Sequence, residues 1–149
     1  MRLPPVVATM PQEGLVFGRM AIERVLLVED HAAFREALAK VLEWKAGFER
    51  VPQAGSLSEG LARALDGDLD VAVVNLGLPD GDGTDLISQM HRTEPDVPGL
   101  VLTLSRDPAR HARALDAGAE RVLTKDASIE EIVDAVRRLG TGEPVVTSN

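Results

Sequence analysis

The sequence predicts a doubly wound α/β fold, a parallel sheet with helices on both faces. Three observations predict it. Val25-Leu26-Leu27-Val28 and Val71-Ala72-Val73-Val74 are short apolar runs bounded by polar residues, the pattern of strands buried on both sides. Between such runs lie stretches with apolar residues at helical spacing. The two kinds alternate along the chain with short connections, and right-handed crossovers then leave only a few topologies.

Each element has its own signal. Residues 1–22 mix Pro, Gly and isolated apolar residues without a period and read as a flexible arm. After the first strand, Phe34, Ala37, Leu38, Val41 and Leu42 form one apolar helix face, and Gly47 ends it. Phe48 to Gly55 reads as a weaker strand, kept near an edge by Pro52. Ser56 with Glu59 is a capping box opening a second helix through about Leu65. The third strand ends at Asn75, and a loop of Gly, Asp and Pro runs from Leu76 to Gly83. A third helix to about His91 turns Leu86, Ile87 and Met90 inward, and Leu100 to Leu104 is a fourth strand. Asp107-Pro108 pairs an N-cap with proline at the first helical position, and Gly118 closes that fourth helix. Arg121 to Leu123 is a short fifth strand. Ser128 with Glu131 is a second capping box, Ile129, Ile132, Val133, Val136 and Leu139 stripe the last helix, and Gly140 stops it. Residues 23–140 are thus one domain, and 141–149 read as a linker to an output domain.

Composition narrows the function. The 149 residues suit a single domain with a sizeable core. Sixteen Lys and Arg against 24 Asp and Glu give a formal charge of −8, which argues against this domain gripping nucleic acid itself. The absence of cysteine removes disulfides, thiolate catalysis and cysteine metal sites. No apolar run reaches the roughly 18 residues that span a bilayer, and prolines at 4, 5 and 11 break any signal-peptide core. The expectation is a cytoplasmic protein with no membrane partner.

In open parallel sheets, ligands bind beyond the carboxyl ends of the strands. Glu29 and Asp30 follow the first strand, Asn75 the third, Thr103 lies at the end of the fourth, and Lys125 follows the fifth. Two acids, a hydroxyl and a lysine on one edge suit a hard cation and a phosphoryl group.

The motifs Val25-Leu26-Leu27-Val28-Glu29-Asp30-His31, Asn75 to Gly83, Leu102-Thr103, Ala117-Gly118-Ala119 and Lys125-Asp126-Ala127 resemble the receiver domain of two-component response regulators. The resemblance runs from about residue 23 to 142, with the motifs in order and suitably spaced. The Lys-Asp-Ala form resembles the subfamily in which a receiver precedes a helix-turn-helix domain. The resemblance implies a flavodoxin-like three-layer (βα)5 sandwich with sheet order 2-1-3-4-5. It implies that Glu29 and Asp30 are the metal-binding pair, Thr103 the switch hydroxyl, Lys125 the phosphate-side lysine and Val122 the position of a switch aromatic. It implies a homodimer through the fourth helix, fifth strand and fifth helix, with DNA bound only through a separate output domain.

Asn75 stands where the family carries the phospho-accepting aspartate. An amide oxygen is neutral and far less nucleophilic than a carboxylate. Its presence leaves two carboxylates against Lys125 and predicts weak or lost Mg²⁺ binding, since divalent affinity follows ligand charge. Lys125 is free to pair with the remaining acids, and Asn75 can still fix its loop by hydrogen bonds. Leu104 replaces a usual small residue, either partly closing the pocket or entering the core. Val122 cannot make an aromatic rotamer swing. The expectation is therefore a non-enzymatic, phosphorylation-independent module that needs no cofactor, and Asn75 counts against a histidine kinase as partner. The alternative is a conventional receiver into which Asn75 was introduced to inactivate it.

Other readings are weaker. Asp80 to Asp85 resembles a calcium loop, but the sixth position from Asp80 is Asp85 instead of glycine and the twelfth is His91 instead of glutamate. Gly77, Gly81 and Gly83 lack the dinucleotide spacing. His31, His91 and His111 show no ligand spacing and read as surface residues, and Trp44 with Phe48 reads as core or a helix-end contact. An enzyme using Glu29 and Asp30 lacks a nucleophile and a cofactor loop.

Overall fold

The computed structural model describes residues 24–142. Along the chain run β1 (Val25–Val28), α1 (Ala32–Lys40), a π-helical turn (Val41–Lys45), β2 (Gln53–Ala54), α2 (Leu57–Leu65) and β3 (Val71–Val74). They are followed by β4 (Gly77–Leu78), β5 (Gly81–Asp82), α3 (Gly83–Thr93), β6 (Gly99–Thr103), α4 (Pro108–Ala117), β7 (Arg121–Thr124) and α5 (Ile129–Thr141). Five strands form one parallel sheet in the order β2-β1-β3-β6-β7, and β4 with β5 makes a separate antiparallel hairpin. Counting only the sheet's strands, this is the expected 2-1-3-4-5.

Side chains alternate across a strand, and here the alternation builds two cores. Val25, Leu27, Val71, Val73, Leu100 and Leu102 pack with Leu38 and Leu42 of the first helical segment and with Ile132, Val136 and Leu139 of α5. Leu26, Val28, Ala72, Val74 and Val101 pack on the other face with Ala64, Leu86, Ile87, Met90 and Ala114 from α2, α3 and α4. Burial on both faces explains why the strands read as unbroken apolar runs.

Caps set most boundaries. Ser56, Asp82, Asp107 and Ser128 each accept a backbone N–H from the first turn of the helix they precede. Ser128 and Glu131 make the full reciprocal box. Ser56 receives the Glu59 N–H, but Glu59 Oε1 reaches back to the Gly55 N–H, so the return bond of the expected Ser56–Glu59 box is displaced by one residue.

Several expectations need correction. The first helix does not continue regularly to Gly47: it widens at Val41–Lys45, where the Ala46 N–H bonds the Val41 carbonyl. Its buried residues are Leu38, Ala39 and Leu42, with Ala37 exposed, because the face turned to the sheet is rotated toward Ala39. Trp44 is not core: it is 80% exposed on the widened turn, while Phe48 is buried. The last helix passes Gly140 and ends at Gly142, whose left-handed φ of 78° forms the C-cap. The third helix reaches Thr93, and the loop after Asn75 contains the β4–β5 hairpin. The expected arm and the expected linker beyond Gly142 lie outside the described residues.

Candidate functional site

Parallel strands end together, so residues distant in sequence meet at one edge. Val28 is in register with Val74, and Thr103 with Thr124. The next residues along β1, β3 and β7 are Glu29, Asn75 and Lys125. These three, with Asp30 and Thr103, line a solvent-open cavity of about 660 Å³. Five of the six singled-out positions are therefore brought together. Val122 is not among them: it packs half-buried against the core on the α2–α4 side.

The cavity has two polar halves. In one, Lys125 Nζ lies 2.6 Å from Glu29 Oε1, with Glu29 2% and Lys125 11% exposed. Glu29 Oε2 accepts the His31 N–H at 2.9 Å, and the ammonium of Lys125 sits 4.9 Å from the Phe34 ring centroid. Lys125 thus chooses Glu29 as its carboxylate partner. In the other half, Asn75 Nδ2 donates to Asp30 Oδ1 at 3.2 Å and to the Gly77 carbonyl at 2.8 Å. A carboxylate and a carbonyl can only accept, so the NH2 end of the amide must face them. Thr103 is buried, and its hydroxyl accepts the Ser105 N–H.

A divalent cation does not fit this donor set as arranged. Glu29 Oε1 faces an ammonium and Oε2 an amide N–H, while Asp30 Oδ1 and the Gly77 carbonyl converge on the Asn75 NH2. Mg²⁺ needs oxygens in a near-octahedral shell with no competing donor between them.

Leu104 is 78% exposed at the cavity wall, so it neither enters the core nor shuts the cavity. Sequence reasoning missed Phe34, Arg110 and Gly77 as lining residues. Phe34 and Arg110 lie in the first turn of α1 and α4, and the helical starts at the strand ends were the available signal.

Three acids near the cavity rim, Asp80, Asp82 and Asp126, bond the local structure. Asp80 accepts the Leu57 and Ser58 N–H groups at 2.7 and 3.0 Å, bonds that hold its carboxyl below the ordinary 3.8. Partial burial raises the Asp82 carboxyl, but the Thr84 N–H and hydroxyl and the Arg110 guanidinium outweigh it and keep it low. Asp126 is held low by the Thr124 hydroxyl and Arg106. His31 is exposed and caps α1, its Nδ1 accepting the Phe34 N–H.

Residues 25–137 match the response regulator receiver domain. The chain belongs to that family. It is 32% identical over 122 residues to the response regulator protein VraR of Staphylococcus aureus, covering 82% of this chain and 58% of VraR. The receiver thus spans somewhat over half the length of the curated relatives it matches. A response regulator from Burkholderia pseudomallei, solved with a phosphorylated aspartic acid, calcium ion and citrate, is 30% identical with a TM-score of 0.72, over 80% of this chain and 69% of that one. A two-component response regulator of the LuxR family from Aurantimonas sp. SI85-9A1 is 25% identical with a TM-score of 0.76, over 83% and 88%. The fold is that of flavodoxin-like receivers, and the chain is a signalling module. Among the described residues, no helix is long and apolar enough to cross a membrane.

Proposed function

We propose that this receiver controls an attached output domain without accepting phosphate at Asn75. The observation that carries the reading is the neutral amide at the end of β3, 8% exposed and bonded to Asp30 and Gly77. Phosphoryl transfer to a receiver needs a carboxylate oxygen as nucleophile, and a carboxamide is neutral and far less nucleophilic. In this reading Glu29 and Asp30 are the remnant of an acid pair whose metal affinity is weak or lost. Thr103 and Lys125 are the former phosphate-side groups, and Val122 fills a switch position without switching. Mg²⁺ and a histidine kinase are both dispensable.

The output is transcriptional, through a separate DNA-binding domain, with residues 23–140 the regulatory unit. Its acidic surface suits that division of labour. Regulation runs through dimerisation or domain contacts at the face of α4, β7 and α5, in the cytoplasm. A partner shifts this receiver only by binding one of its conformations better than another.

The test is incubation with acetyl phosphate and Mg²⁺ followed by intact-mass spectrometry. The expected result is no acid-stable, base-labile adduct. An acyl phosphate on Asp30, Asp80 or Asp82 would overturn the reading. Asn75→Asp in the same assay reports whether the remaining pocket groups still support phosphoryl transfer once a carboxylate is restored.

A further inference from the structure

The Asn75 amide reaches further than its own pocket. Its bond to the Gly77 carbonyl grips the first residue of the β4–β5 hairpin. The hairpin pairs Gly77 with Asp82 and Leu78 with Gly81. From its turn, Asp80 holds the first two N–H groups of α2. From its last residue, Asp82 caps α3 at Thr84 and faces Arg110 of α4 at 3.5 Å. The hairpin is also closed at its base, where the Gly83 N–H bonds the Leu76 carbonyl at 2.8 Å. One short ribbon therefore joins the pocket to three helices, and Asn75 is the side chain that ties it to Asp30.

The geometry points to a metal-free latch. We infer that the Asn75 NH2 group takes over the bridging role of a divalent cation, drawing Asp30 and the Gly77 carbonyl together and holding α2 and α3 in one arrangement whether or not Mg²⁺ is present. Two acceptor oxygens converging on one donor form the arrangement that a cation would otherwise hold together. A neutral NH2 does so without the dehydration that Mg²⁺ resists. The inference rests on the reading that Asn75 stands at the former acceptor position, but its test measures a different quantity from phosphorylation.

That test is amide hydrogen exchange by NMR on the full chain, in EDTA and in excess Mg²⁺. Wild-type exchange at Gly83 and in the hairpin should be the same in both. Asn75→Ala should exchange roughly tenfold faster there in both, as expected for losing two hydrogen bonds. The same variant should also speed exchange at Leu57 and Ser58, which a purely local role would leave unchanged. Asn75→Asp should exchange fast in EDTA, where two carboxylates repel, and slow again with Mg²⁺. Slowing of the wild-type hairpin by Mg²⁺ would overturn the latch, as would wild-type rates at Leu57 and Ser58 in Asn75→Ala. The wild-type comparison needs no variant to fold. An acyl phosphate on wild type would sink the proposed function while leaving these exchange rates to judge the latch separately.

Discussion

Glu29 and Asp30 are adjacent in sequence yet live in opposite electrostatic settings. Glu29 is sealed from water and neutralised by a full charge at 2.6 Å. Asp30 is exposed and, among the described residues, meets the dipole of an amide at 3.2 Å. A buried carboxylate without a counter-ion is costly, whereas an exposed one is kept comfortable by solvent. The two halves of the cavity therefore carry different burdens: the Lys125 half holds the domain's stability, and the Asn75 half holds the loop's conformation.

The largest break in this contrast is Lys125→Ala. It strands the Glu29 charge in the sheet edge and should cost about 3–5 kcal/mol, read by chemical denaturation followed by far-ultraviolet circular dichroism. Adding Glu29→Gln should recover most of the loss, because no buried charge then remains. Gly83→Ala strikes the other half. A Cβ there would lie 2.2 Å from the Asn75 carbonyl oxygen, which is backbone and cannot yield. The expected cost is about 1–3 kcal/mol of overpacking, with faster exchange of the hairpin amides in the folded state. The smallest effect is Asp80→Ala. The folded carboxyl sits below its ordinary 3.8, so its contribution is present above that value and lost as pH falls through the lowered one. The gap in thermal midpoint between wild type and this variant should be constant near neutrality and close below pH 3.8.

The strand ends were legible because a parallel sheet gathers them on one edge whatever the helices do. That logic alone brought Glu29, Asp30, Asn75, Thr103 and Lys125 into one cavity. The partner of Lys125 was not legible: two neighbouring acids were available, and only the turn after β1 puts Glu29 inward and Asp30 outward. The β4–β5 hairpin was hidden because strands of two residues carry no period. The widened turn after α1 was hidden for a related reason. A π turn changes which carbonyl an N–H reaches without changing residue type, so Trp44, apolar and flanked by a regular helix face, read as inward. Leu104 showed the limit of bulk as a guide, since a large side chain at a loop start can simply stand in water.

The exposure of Trp44 has a spectroscopic consequence. The chain has one tryptophan and no tyrosine, so its only indole already samples water in the native state. Its emission should therefore change little when the sheet comes apart, and the near-ultraviolet signature of this receiver should be faint. A tryptophan engineered between the sheet and α5 would report the melting of the core by fluorescence.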